Sequence, residues 1–174
     1  MLLNMIESSL YYREGASINN FSSCLPASQS SLAQELTKDP YNFDFLTLRD
    51  GYLERELEDA LTDNITKFLI ELGNGFAYVG RQVRLEVGGD EFFIDLLFYH
   101  LKLRSYVVIE LKTGDFQPEY IGKLGFYVSA INHEMKLPQD NPTIGLLICK
   151  SKNNIVARYT LDTANLPSVS LNMD

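Results

Sequence analysis

Two stretches of this chain, Phe92-Phe93-Ile94-Asp95-Leu96-Leu97-Phe98 and Tyr106-Val107-Val108-Ile109-Glu110-Leu111-Lys112, are apolar enough to be interior strands, yet each carries charge where core is expected. The two acids lie fifteen residues apart and Lys112 follows Glu110 by two, so the constellation reads D...ExK. Taking a carboxylate out of water costs on the order of several kcal/mol unless it is paired or holds a cation. Three ionisable groups on adjacent strands need one shared explanation, and the simplest is a divalent-metal site.

The remaining composition limits what such a site serves. At 174 residues, 45% hydrophobic and 22% charged, the chain has the size and balance of one globular domain. Cys24 and Cys149 have neither metal-ligand spacing nor an evident bridging partner, which fits a reducing cytoplasm. The N-terminal Met1-Leu2-Leu3-Asn4-Met5-Ile6 is interrupted too soon by Glu7 to be a signal sequence, and no later run reaches membrane-spanning length. A net charge of -8 argues against strong unaided binding to a phosphate backbone, because such affinity comes from many Lys and Arg contacts. Metal ions at the site, or a basic surface in a longer protein or an oligomer, would offset that charge.

Residues 1–50 are Ser-, Asn- and Gln-rich with only short apolar runs, and read as an arm or linker with short helices near Ser31 to Leu36 and at the extreme N-terminus. From Gly51 the pattern turns helical: Leu53, Leu57, Leu61, Ile65, Phe68 and Leu72 recur every three or four residues, and Gly73 is a stop. Glu54 falls inside that apolar stripe and Glu58 at its edge. Strands are expected at 76–87, 91–99 and 105–111, the first two joined by a Gly88-Gly89-Asp90 turn. Pro118 opens a second helix to about Met135, Thr143 to Cys149 is a buried strand, and Ile155 to Leu161 reads as a weaker edge strand. The domain is therefore expected at 51–165, followed by a tail at 166–174.

Phosphodiester hydrolysis needs charge stabilisation and an activated water, and Mg²⁺ held by one or two carboxylates supplies both. Asp95 and Glu110 fit as ligands, with the Leu111 backbone carbonyl as a third, Mn²⁺ as an alternative ion, and Glu54 or Glu58 completing the shell. Lys112 projects from the same strand face as Glu110, where its ammonium can orient water or stabilise developing charge. Gln82, Lys123 and Tyr127 are candidate substrate contacts. Each residue also has a plain reading: Asp95 paired with Lys112 or Arg104, Glu110 and Lys112 as an exposed ion pair, Glu54 and Glu58 as a wet helix edge, Lys123 solvated, Tyr127 in the core. The joint pattern favours the metal site, since the plain readings must otherwise coincide. His100 and His133 lack the spacing and neighbours for zinc or triad chemistry.

A helix with glutamate, three strands carrying D...ExK, a helix and a strand: this order resembles the PD-(D/E)XK nuclease superfamily, and within it the YhcG-type family. The match rests on Glu54-Arg55-Glu56-Leu57-Glu58, Gly80-Arg81-Gln82, Ile94-Asp95-Leu96-Leu97-Phe98-Tyr99-His100, Val108-Ile109-Glu110-Leu111-Lys112 and Asn141-Pro142-Thr143-Ile144-Gly145, and spans about residues 38 to 162. The resemblance implies an α/β restriction-endonuclease-like core, a mixed sheet flanked by helices, and Mg²⁺-dependent cleavage of nucleic acid, with DNA ahead of RNA. It also implies a helical DNA-binding domain upstream, of which residues 1–37 look like the tail. Members often have Gln where this chain has Lys123. Pairing of two copies fits a nuclease that cuts both strands. The alternative is a non-catalytic nucleic-acid or protein-interaction module that retains the fold.

Overall fold

The computed structural model describes residues 18–37 and 40–173. Strand β1 (Ile18–Asn19) leads into helices α1 (Phe21–Cys24) and α2 (Ala27–Leu36), then α3 (Glu54–Asp63) and α4 (Ile65–Leu72). Strands β2 (Phe76–Val87), β3 (Asp90–His100) and β4 (Ser105–Asp115) follow, then α5 (Pro118–Glu134), β5 (Ile144–Ser151), α6 (Asn154–Thr163) and β6 (Ser168–Asn172). One six-stranded sheet results, in the order β1-β6-β5-β4-β3-β2. Hairpin neighbours pair antiparallel, whereas β4–β5 and β5–β6 pair parallel and so need the crossovers that α5 and α6 provide. Gly88 and Gly89, at φ 60° and 87°, supply the left-handed turn of a two-residue hairpin.

The period of two along β4 sorts its side chains between two layers. Val107, Ile109 and Leu111 join a core with Leu57, Leu61, Phe68 and Leu72 of α3 and α4. Val108 joins the opposite core, built on Ile121, Leu124, Val128 and Ile131 of α5. Glu110 and Lys112 share the parity of Val108 and therefore belong to the α5 side.

Four expectations change. Residues 18–50 are not a free arm: Phe21, Ala33 and Tyr41 are fully buried in the same core as α3, and Asn20 holds Leu166 O and the Ser168 backbone N–H with its side chain. Nor is 166–174 a tail, since β6 lies inside the sheet between β1 and β5. The segment Ile155 to Leu161 is helical, started by Asn153, whose side chain accepts the N–H groups of Ile155 and Val156. Finally, the long helix through Leu72 breaks at Asn64 (φ -113°, ψ 40°), which ends α3 and precedes α4. The helix expected at the extreme N-terminus lies outside the described residues. Among those described, no helix is long and apolar enough to cross a membrane.

Two close packings show how tightly the layers fit. His100 is fully buried; its Nδ1 accepts the backbone N–H groups of Lys102 and Leu103, leaving Nε2–H to donate to Asn74 O, so this histidine is a structural staple. In β5, Gly145 lies against α5, where an added Cβ would meet Leu124 Cγ at 2.7 Å. Gly145→Ala is expected to destabilise the protein by about 1–3 kcal/mol, read from its urea midpoint.

Candidate active site

Pairing between β3 and β4 runs from His100–Ser105 to Leu96–Ile109 and stops there. Beyond that point the backbone donors turn to side chains. The Asp95 N–H donates to Glu110 Oε1 at 3.3 Å, and the Leu111 N–H donates to Asp95 Oδ2 at 3.1 Å. The opening of the ladder thus holds two carboxylates against each other, with Glu110 only 2% exposed.

Glu110 titrates far from an ordinary carboxyl. Burial, and next the Asp95 carboxylate beside it, push its carboxyl up to about 8, while Lys123 acts weakly in the opposite sense. Ion pairs among the described residues join Arg49 to Glu56, Arg81 to Glu58 and Asp59, and Arg84 to Glu86 and Glu91; none includes Asp95, Glu110 or Lys112. The structural pairing of Asp95 with Lys112 or Arg104, and a Glu110–Lys112 bridge, are therefore not what the fold contains.

The α3 acids behave differently. Glu58 is 4% exposed, with Oε1 accepting from Arg81 Nε at 3.1 Å and Oε2 from Gln82 Nε2 at 2.8 Å. Burial raises its pKa, opposed by Gln82 and Arg81. Arg81 also grips Asp59. Glu54 stays exposed and accepts the Thr113 N–H at 3.4 Å, just past Lys112 on β4. Together Glu54, Arg55, Glu58, Arg81, Gln82 and Asp95 line a cavity of about 480 Å³. A larger concavity of about 600 Å³ between α5 and α6 has Glu119 as its only ionisable lining residue.

On the α5 side Lys112 rests its ammonium 4.9 Å from the Tyr120 ring centroid, and Lys123 sits 5.6 Å from that of Tyr127. Tyr127 is itself buried, and its hydroxyl is influenced by Glu110 and Asp95, which places this pair beside the carboxylates. Of the expected residues, Glu54, Glu58, Gln82 and Asp95 line the one cavity, Glu110 and Leu111 meet Asp95 through hydrogen bonds, Lys123 and Tyr127 act on Glu110 electrostatically, and Lys112 is placed by its ring contact with Tyr120. Arg81 is the functional-looking residue that spacing did not single out. It stands beside an irregularity of β2 between Tyr78 and Gly80, and its neighbour Gln82 adopts φ 46°, features of the folded chain rather than of residue spacing.

Does a metal suit these residues? Among the described residues no three His, Cys, Asp or Glu side chains converge into a ready-made cage. Asp95 and Glu110 instead offer two carboxylates that lack a counter-cation, which suits an ion that keeps several waters and takes other ligands from substrate oxygens.

The model of the YhcG PDDEXK nuclease domain matches residues 34–171. The chain belongs to that family. "Putative nuclease YhcG" of Escherichia coli (strain K12) is 39% identical over 146 residues, covering 84% of this chain and 38% of that protein, so the chain spans well under half of its relative's length. Among solved structures, EndoMS in a complex with dsDNA aligns at a TM-score of 0.50 and 20% identity over 74% of this chain and 48% of its own. A repair endonuclease from Pyrococcus abyssi aligns at 0.46 and 21% identity, over 71% and 50%. The six-stranded mixed sheet of this YhcG-type domain, flanked by helices, is restriction-endonuclease-like. Asp95 of β3 and Glu110 and Lys112 of β4 lie just beyond the point where the β3–β4 ladder opens.

Proposed function

We propose that this chain hydrolyses phosphodiester bonds, those of DNA first, using Mg²⁺ or Mn²⁺ held by Asp95, Glu110 and the Leu111 carbonyl. The observation that carries this reading is the Asp95–Glu110 pair: two neighbouring carboxyl groups, one of them buried, with no ion-pair partner among the described residues, in a domain of a nuclease family. When bound, the ion supplies Lewis-acid stabilisation of the phosphoryl oxygens and a more acidic water.

The chain's own residues supply the rest. Asp95 and Glu110 fix where the phosphate is held, and their backbone hydrogen bonds lock their orientation. Lys112, on the same strand face as Glu110, donates to the attacking water or a non-bridging oxygen, its ammonium held beside the Tyr120 ring. Lys123 and exposed Arg55 flank the opening and offset locally the net charge of -8. The dsDNA in the EndoMS complex supports duplex DNA as the first substrate to offer.

Lys112→Met keeps the aliphatic stem and removes the ammonium. It is expected to slow single-turnover cleavage by about 10²–10³-fold, as loss of one such donor does, with divalent-ion affinity changed little. The overall reading is tested by incubating the protein with supercoiled, linear and branched DNA and with RNA, in Mg²⁺, Mn²⁺ or EDTA. Cleavage that requires the ion supports it. Absence of ion-dependent cleavage of every substrate, together with no ion binding by calorimetry, would sink it; preference for RNA would correct the substrate.

A further inference from the structure

The carboxylates around the opening divide by whether they already have a partner of opposite charge. Asp95 and Glu110 have none among the described residues, while Glu58 has Arg81 on one oxygen and the Gln82 amide on the other. Gln82 reaches further, since the same Nε2 lies 3.4 Å from Asp95 Oδ1. The flanking register, Arg81 with Leu96 and Val83 with Ile94, sets Gln82 directly across from Asp95.

Gln82 does this from a left-handed backbone, φ 46°, which a long unbranched side chain seldom adopts and which is strained unless its surroundings impose it. A glycine there would relieve the backbone but leave Glu58 Oε2 without its donor. The residue at this position therefore gives up local stability and in return brings one amide between two acids from different elements.

We infer that Gln82 is a positioning residue: its amide ties Asp95 to the Arg81-neutralised Glu58, so that Glu58 orders the site from outside the metal's ligand set and the Asp95–Glu110 pair takes a single divalent ion. This rests on the metal-site reading above. It replaces two expectations, Glu58 as a ligand and Gln82 as a substrate contact, with a role that the hydrogen bonds themselves describe. Residues that orient ligands from behind typically cost 10–100-fold in metal affinity when removed.

The test is Mn²⁺ binding to the whole chain, by calorimetry and by electron paramagnetic resonance, with thermal unfolding of each variant. Wild type is expected to bind one ion, Asp95→Asn to lose it, and Glu58→Gln to keep a stoichiometry of one. Gln82→Gly, which suits φ 46°, should bind about tenfold more weakly or worse while unfolding no earlier than wild type; a purely structural residue would show the reverse. Gln82→Glu should also weaken binding, because a third negative charge faces Asp95 and Glu58, whereas a ligand at that position would tighten it. Two ions in wild type falling to one in Glu58→Gln, unchanged affinity in Gln82→Gly, or tighter binding in Gln82→Glu each overturns the inference while leaving the metal site in place. No ion bound by wild type would remove the metal-site reading and this one with it.

Discussion

Asp95→Asn is expected to reduce ion-dependent cleavage by roughly a thousandfold or more without unfolding the protein. The substitution keeps shape and leaves an oxygen to accept the Leu111 N–H, so the local hydrogen bonding that the aspartate provides is largely retained. What disappears is the charge. Metal stabilisation of a phosphoryl transition state is worth several kcal/mol, and about 4 kcal/mol corresponds to three decades in rate. Removing one of two abutting carboxylates also relieves the repulsion that Glu110 feels, so the metal-free variant should melt at or above the wild-type temperature. Single-turnover cleavage, ion calorimetry and a thermal melt form the check; wild-type cleavage rates in a folded variant would place the metal elsewhere.

Glu110→Gln should separate stability from function still more sharply. The Glu110 carboxyl is pushed up from an ordinary 4.5 to about 8 by burial and by Asp95. A raised carboxyl makes the folded state hold its proton more tightly than the unfolded one, so its contribution to stability is full below about 4.5 and is lost as pH rises through about 8. Glutamine cannot ionise. In EDTA at pH near 9 the variant should therefore be the more stable protein, by on the order of 2 kcal/mol: each pKa unit is worth about 1.4 kcal/mol, and relaxation around a coupled pair takes back part of it. Saturating Mg²⁺ should reverse the order, because only wild type gains the RT ln(1 + [L]/Kd) of a bound ion. Cleavage by the variant should be lost. Melting curves across pH with and without Mg²⁺ decide it, and a variant less stable than wild type in alkaline EDTA would refute the account.

The sequence revealed the site more readily than the edges of the fold. Asp95, Glu110 and Lys112 stood out because charge interrupts the near-continuous apolar run that marks a strand buried on both faces. β6 was missed for the opposite reason. Ser168-Val169-Ser170-Leu171-Asn172 carries too little apolar surface to look interior, yet its first four residues are buried because the neighbouring strands and Asn20 supply hydrogen bonds. α6 was misread because Ile155, Val156 and Tyr159 are β-formers that here face solvent, leaving Ala157 and Leu161 as the buried pair. The Asn153 cap was the legible clue. Residues 1–50 looked like a linker because the large apolar side chains there, the buried Phe21, Leu25, Tyr41 and Phe43 among them, are spaced without period. Arg81 could not be weighed from sequence, since its role depends on α3 being folded against β2.

β1 has a consequence for reach. It joins the sheet at the edge opposite the β2–β3 hairpin, separated from β4 by β6 and β5. At about 4.8 Å per strand, a chain arriving at Ile18 is delivered about 14 Å from the strand that bears Glu110, less than half the ~34 Å turn of a B-form duplex. Ile18 and the strand that bears Glu110 are thus held at a fixed spacing by three strand-to-strand steps of one hydrogen-bonded sheet.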